Sequence, residues 1–220
     1  MVNVSDVLAG LALVVSGVTV WLTLFRRGTV KMTQPAFIFF GPDGVQFGGT
    51  PKVATCFHLY CTADRGRIVD GLYVRLTVNH VSNDFDVCVY GSDDLARGSG
   101  VHVGRDGVTC NHHFLLPRTD ETFDFAAGRY TVEFFGNIVG DRVPRRFFSV
   151  NLDLTAGDSA AIREGSAGVF FEWRPAKQRY EARIDFAKDR ADRQLPNLPA
   201  IVSALMNVRD GDDAPMSQAG

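Results

Sequence analysis

Hydrophobic and polar residues alternate with a period of two along much of this chain, as a half-buried strand requires. Leu72, Val74, Leu76 and Val78 fall on one face, with Tyr73, Arg75, Thr77 and Asn79 on the other. Phe85, Val87 and Val89 alternate with Asp84, Asp86 and Cys88. Tyr130, Val132 and Phe134 do so with Arg129, Thr131 and Glu133, and Phe148, Val150, Leu152 and Leu154 with Ser149, Asn151, Asp153 and Thr155. Val169, Phe171 and Trp173 match Tyr180, Ala182 and Ile184 across a turn at 175–178. Further strands are expected over 37–40, 53–61 and 108–116. Turn residues separate these segments at 41–44, 64–66, 91–94, 105–107 and 127–128. Helical periodicity is almost absent, apart from one turn expected near 158–163. The pattern predicts a mainly β fold, an antiparallel β-sandwich, whose strand order the sequence leaves open among immunoglobulin-like, C2-like and jelly-roll forms. Adjacent aromatics at Phe39–Phe40, Phe134–Phe135, Phe147–Phe148 and Phe170–Phe171 put a ring on both faces of a strand. Edge packing accounts for them, with a second covered surface as the alternative.

A different pattern opens the chain. Residues 7–25 form a run of 19 without a formal charge, roughly 28 Å of helix against a hydrocarbon layer of roughly 30 Å. Trp21 lies near its end, and Arg26, Arg27 and Lys31 follow as a basic flank suited to the headgroup layer. A signal peptide and a buried helix of a soluble core are the competing readings. The first wants positive charge before the run, and residues 1–6 carry no Lys or Arg. The expected organisation is therefore a short tail (1–6), a transmembrane helix (7–25), a basic connector (26–34), the β domain (35–186) and a charged tail without regular structure (187–220). The basic flank orients the helix N-out and C-in by the positive-inside rule. That puts the β domain on the cytoplasmic side of a bacterial inner membrane.

Composition adds limits. Of 17 phenylalanines, 16 lie between Phe37 and Phe186, so the core belongs to that stretch. A net charge of -2 gives no general attraction to nucleic acid, and none is expected as a partner. Mean hydropathy near zero excludes a polytopic membrane protein.

Candidate chemistry is sparse. Cys56, Cys61, Cys88 and Cys110 are separated by 4, 26 and 21 residues, with no C-x-x-C pair. Cys61 and Cys110 read as small core residues, kept reduced in a cytoplasmic domain. Ligand types cluster only at Cys110, His112 and His113. Cys110 and His112 share a face, and a zinc site would need two more ligands, from His58 or His102. His112 otherwise reads as a core residue and His113 as a surface one. Asp84, Asp86, Asp93 and Asp94 are the densest acidic group, and loop carboxylates suit calcium. The glycine-rich stretch 97–107 matches no phosphate loop, and Ser99 lacks a nucleophile context. No catalytic set and no cofactor is indicated. Two basic stretches, Arg65 with Arg67 and Arg142 with Arg145 and Arg146, read as solvent-facing loops, with contact to anionic lipid as the alternative and, for Arg142, Arg145 and Arg146, contact to a partner.

The segments 21–28 (WLTLFRRG), 40–44 (FGPDG), 97–100 (RGSG) and 111–117 (NHHFLLP) resemble those of uncharacterised bacterial single-pass membrane-anchored β-sandwich proteins. The resemblance covers about residues 7–185. It implies the same architecture and no particular activity. The function expected is a membrane-anchored, non-catalytic binding or scaffolding module that contacts lipid through its helix and an unidentified protein partner. A membrane-tethered metal-dependent hydrolase built on Cys110, His112, Asp84 and Asp86, and an anionic-lipid-binding domain, are the alternatives.

Overall fold

Alternation along the chain becomes two antiparallel sheets. The structure, a computed structural model, describes residues 3–21, 28–43, 49–90, 96–97, 100–116, 123–165 and 167–186. For 87–90, 96–97 and 110 only the backbone is described. The elements are α1 (Val4–Val20), β1 (Val30–Met32), β2 (Phe37–Pro42), β3 (Pro51–Cys61), β4 (Arg67–Val78), β5 (Val81–Phe85), β6 (Val87–Tyr90), β7 (Ala96–Arg97), β8 (Val101–Val103), β9 (Val108–Leu115), β10 (Gly128–Ile138), β11 (Arg145–Leu154), α2 (Ala156–Arg163), β12 (Ala167–Arg174) and β13 (Arg179–Phe186).

One sheet runs β13-β12-β2-β3-β9-β6-β7, with β1 also on β3; the other runs β11-β10-β4-β5, with β8 also on β4. Their inner faces meet in one core. Phe40 packs edge-on to Tyr130 at 5.4 Å, and Phe57 and Phe114 meet Phe134 at 5.8 and 6.2 Å. Ile38, Val53, Val74, Leu76 and Val132 fill the space between the rings without measurable exposure. These are alternate positions on their strands, so burial follows the period-two pattern.

Three expectations are corrected. The alternating run at 84–89 is not one strand. Phe85 ends β5, which pairs β4 in the smaller sheet, while Val87 opens β6, which pairs β9 in the larger one. The chain changes sheets at exposed Asp86, and alternation along one segment does not show which neighbour it pairs with. The turn expected at 41–44 starts later, because β2 runs to Pro42 opposite Pro51, where a strand end tolerates the missing N–H groups. The connector expected over 26–34 includes β1, which pairs Val30 with Cys61 and buries Val30.

The helix α1 stands apart. Val4–Val20 is apolar apart from Ser5, Asp6, Ser16 and Thr19, none of its residues is buried, and Trp21 is 58% exposed. The helix is therefore not part of the core of the two sheets. Among the described residues no helix is long and apolar enough to cross a membrane. The described helix holds 17 residues, and the uncharged run continues into 22–25, which lie outside the described residues together with Arg26 and Arg27.

Candidate functional site at the proximal pole

The chain enters the domain at one end of the two sheets. Gly28 packs so closely on Cys61 and Ala63 that a Cβ there would lie 2.7 Å from the Ala63 backbone nitrogen. Thr29 N–H donates to the Thr62 hydroxyl and Thr62 N–H to the Thr29 carbonyl. The 62–66 turn, which joins β3 to β4, is thus tied to the incoming chain. Antiparallel register brings two more turns to the same end. Residues 104–107 precede β9, whose Val108 lies opposite Leu59, and residues 139–144 follow β10, whose Ile138 lies opposite Val69. Cys61 N–H bonds the Gly104 carbonyl at 2.9 Å, and Val139 N–H bonds the Ile68 carbonyl at 2.9 Å.

The two basic stretches meet there. Arg67 donates to Asp141 at 2.8 Å and to the Val139 carbonyl at 3.1 Å, and Arg145 reaches the other Asp141 oxygen at 3.2 Å. Asp141 thereby braces the 139–144 turn against the start of β4. Arg105 pairs with Asp64 at 3.0 Å in an exposed contact that contributes little. Arg65 and Arg142 are exposed and have no ion-pair partner among the described residues. The three turns and their flanks carry Arg65, Arg67, Arg105, Arg142 and Arg145 against Asp64, Asp106 and Asp141, a net charge of two positive. An open cleft of about 400 Å³ runs between them, lined by Arg65, Arg67, Ile68, His102 and Val139.

Apolar side chains share this pole. Outside α1 and its C-cap Trp21, the exposed large hydrophobic residues among those described are Ile68, Val81, Val139, Val143 and Phe186. Three of the five, Ile68, Val139 and Val143 (46, 55 and 72% exposed), belong to the proximal pole. The sequence carries a signal for two of them: 138–143 (IVGDRV) puts Val139 and Val143 in and beside a Gly-Asp turn.

Other predicted residues are dispersed. Arg146 is drawn onto the outer face of the smaller sheet, where it pairs with Glu133 at 2.7 Å. Lys31 is exposed on β1. The metal candidates are not brought together. His112 faces the core, stacked on Phe57 at 4.3 Å between centroids, and burial, aided by neighbouring His113, pulls its pKa down to about 4. Asp84 lies on the outer face of the opposite sheet in a two-pronged pair with Arg75, at 2.7 and 2.8 Å. Asp86 is exposed between the sheets' strands. Cys110 pairs by backbone with Phe57, its side chain lying outside the described residues, as do Cys88, Asp93 and Asp94. His58 bonds Thr109 at 2.7 Å on the outer face, and His102 is at the proximal pole. Among the described residues no group of three His, Cys, Asp or Glu could hold a metal ion. Cys56 and Cys61 are free thiols.

His113 is not the surface residue expected. It lies on the outer face of the larger sheet with Nδ1 buried and unpaired among the described residues. Burial lowers its pKa, Lys52 adds to the shift, and Asp43 opposes it. Lys52 and Asp43 form a buried pair at 2.6 Å, and the second Asp43 oxygen has no partner among the described residues. Sequence spacing gave no hint of this group.

Fold and site together define a two-sheet β module with a basic, partly aliphatic pole where the chain from a mostly apolar N-terminal helix enters the domain. Comparison of the chain with family models, curated proteins and solved structures finds no match.

Proposed function

We propose that this protein is a membrane-anchored, non-catalytic binding or scaffolding module, of the single-pass β-sandwich kind that its sequence resembles. Its N-terminal helix crosses a bacterial inner membrane N-out and C-in and holds the β domain at the cytoplasmic face. The observation that carries this reading is α1. Thirteen of its 17 residues are apolar or glycine, and none is buried against the domain, so the helix leaves a large apolar surface exposed. The uncharged run 7–25 is of spanning length in sequence, with Trp21 and then Arg26, Arg27 and Lys31 as an interfacial flank. The metal-dependent hydrolase alternative gains nothing from the two described ligand candidates His112 and Asp84, which lie on opposite sheets.

The test is extraction. The full chain should stay in the membrane pellet through a high-salt and alkaline carbonate wash, and deletion of residues 4–21 should move it to the soluble fraction. Release of the full chain by carbonate would remove the spanning helix from the account.

A further inference from the structure

We propose that the proximal pole docks on the anionic headgroups of the membrane that holds α1, so that the domain stands on the bilayer rather than swinging from it. The inference rests on the anchored reading above and names what that pole touches.

Three independent features converge. The first is the tether. Six residues, 22–27, separate Trp21 from Gly28, a span of at most roughly 25 Å. Gly28 is wedged against Cys61 and Ala63 in the 62–66 turn, and β1 continues directly from it, so that turn and its neighbours are the part of the domain nearest the anchor. The second is the placement of apolar surface: Ile68, Val139 and Val143 are exposed beside arginines rather than scattered over the domain. An aliphatic side chain at a turn tip, flanked by cations, suits the headgroup boundary, where apolar atoms leave water and charges keep it.

The third is charge. Arg65 and Arg142 are exposed and without ion-pair partners among the described residues, while Arg67 and Arg145 are held in place through Asp141. The far end of the domain differs in sign. Among the described residues, exposed Asp124 and Glu164 stand there against Arg163, with Asp158 buried in the α2 cap. An anionic surface therefore attracts one pole and repels the other, which orients as well as binds. An acidic protein surface would satisfy the arginines alone. It has no account of why the anchor is tied to this pole, so lipid is the occupant favoured.

The experiment uses the full chain in nanodiscs of phosphatidylcholine, with and without roughly one-third phosphatidylglycerol, read by amide hydrogen exchange. Peptides covering 62–68 and 139–145 should exchange at least about fivefold more slowly in the anionic nanodiscs. Peptides across 79–81, at the far pole, should not change. The difference should vanish in the Arg65→Glu/Arg142→Glu variant, and at about 0.5 M salt, where the Debye length falls to a few ångströms. Equal exchange in the two lipids overturns the proposal, as does a lipid-dependent slowing that survives the double substitution. A chain that co-elutes with neither nanodisc removes the anchored reading, and the docking with it. Co-elution without lipid-dependent protection removes the docking alone.

Discussion

Stacked on Phe57 with 3% exposure, His112 sits where burial disfavours an imidazolium. Its pKa of about 4 in the fold lies below the ordinary 6.5, so the unfolded chain binds the proton first as pH falls. Stability associated with His112 is complete above pH 6.5 and is lost as pH drops from there towards 4. At about pH 4.5 the loss is on the order of 2 kcal/mol, and His113, lowered by its own burial, adds in the same direction. Denaturant unfolding at pH 7 and pH 4.5 should show that decrease, and His112→Phe should shrink it. An unchanged decrease in the variant would contradict the assignment.

A second residue-scale test concerns Asp141. It accepts from two arginines while only 22% exposed, so Asp141→Ala should cost about 1–3 kcal/mol and loosen the 139–144 turn. A third is Gly66, at φ +67°, where an added Cβ would lie 2.8 Å from the Val103 carbonyl oxygen. Gly66→Ala should destabilise by at least about 1 kcal/mol, measured the same way. The turn at 64–66 was legible from its Asp-Arg-Gly sequence. The Asp141 brace was not, because 74 residues separate Arg67 from Asp141 and only the β4–β10 register closes that distance.

Among elements, legibility depended on how regular the alternation was. The β12–β13 hairpin has the expected register, with Val169 opposite Ile184, Phe171 opposite Ala182 and Trp173 opposite Tyr180. The start of β4 escaped notice because a register shift near Asn137 and Ile138 re-phases it, so Val69 and Leu72 both face the core. Strands β1, β7 and β8, of two or three residues, are too short to display a period. The paired aromatics are covered locally: Phe135 stacks on Tyr73 at 4.9 Å, and Arg183 lies over Phe170 at 5.2 Å. Helix α2 begins with a reciprocal cap. The Thr155 hydroxyl accepts from Asp158 N–H, and the Asp158 carboxylate accepts from Thr155 N–H. Thr155→Ala should therefore lower stability by about 1 kcal/mol in denaturant unfolding, and no change would mean that the cap is redundant with packing of Ile162.

For the molecule as a whole, the core of two facing sheets was readable because buried positions alternate. The site was half readable, since both basic stretches stand out in the sequence while their meeting at one pole depends on strand direction. What unites the two halves of the chain is position: an apolar helix without a cover, and a basic pole at the point where the chain from that helix joins the domain. The proposed orientation makes the cytoplasmic leaflet the surface facing that pole. Fusions of the full chain at Gly220 to green fluorescent protein and to alkaline phosphatase test this most directly, because the first is fluorescent only in the cytoplasm and the second active only outside it. The account predicts a fluorescent membrane-bound fusion and an inactive phosphatase. A dark fluorescent-protein fusion with an active phosphatase would put the β domain on the other side of the membrane and contradict it.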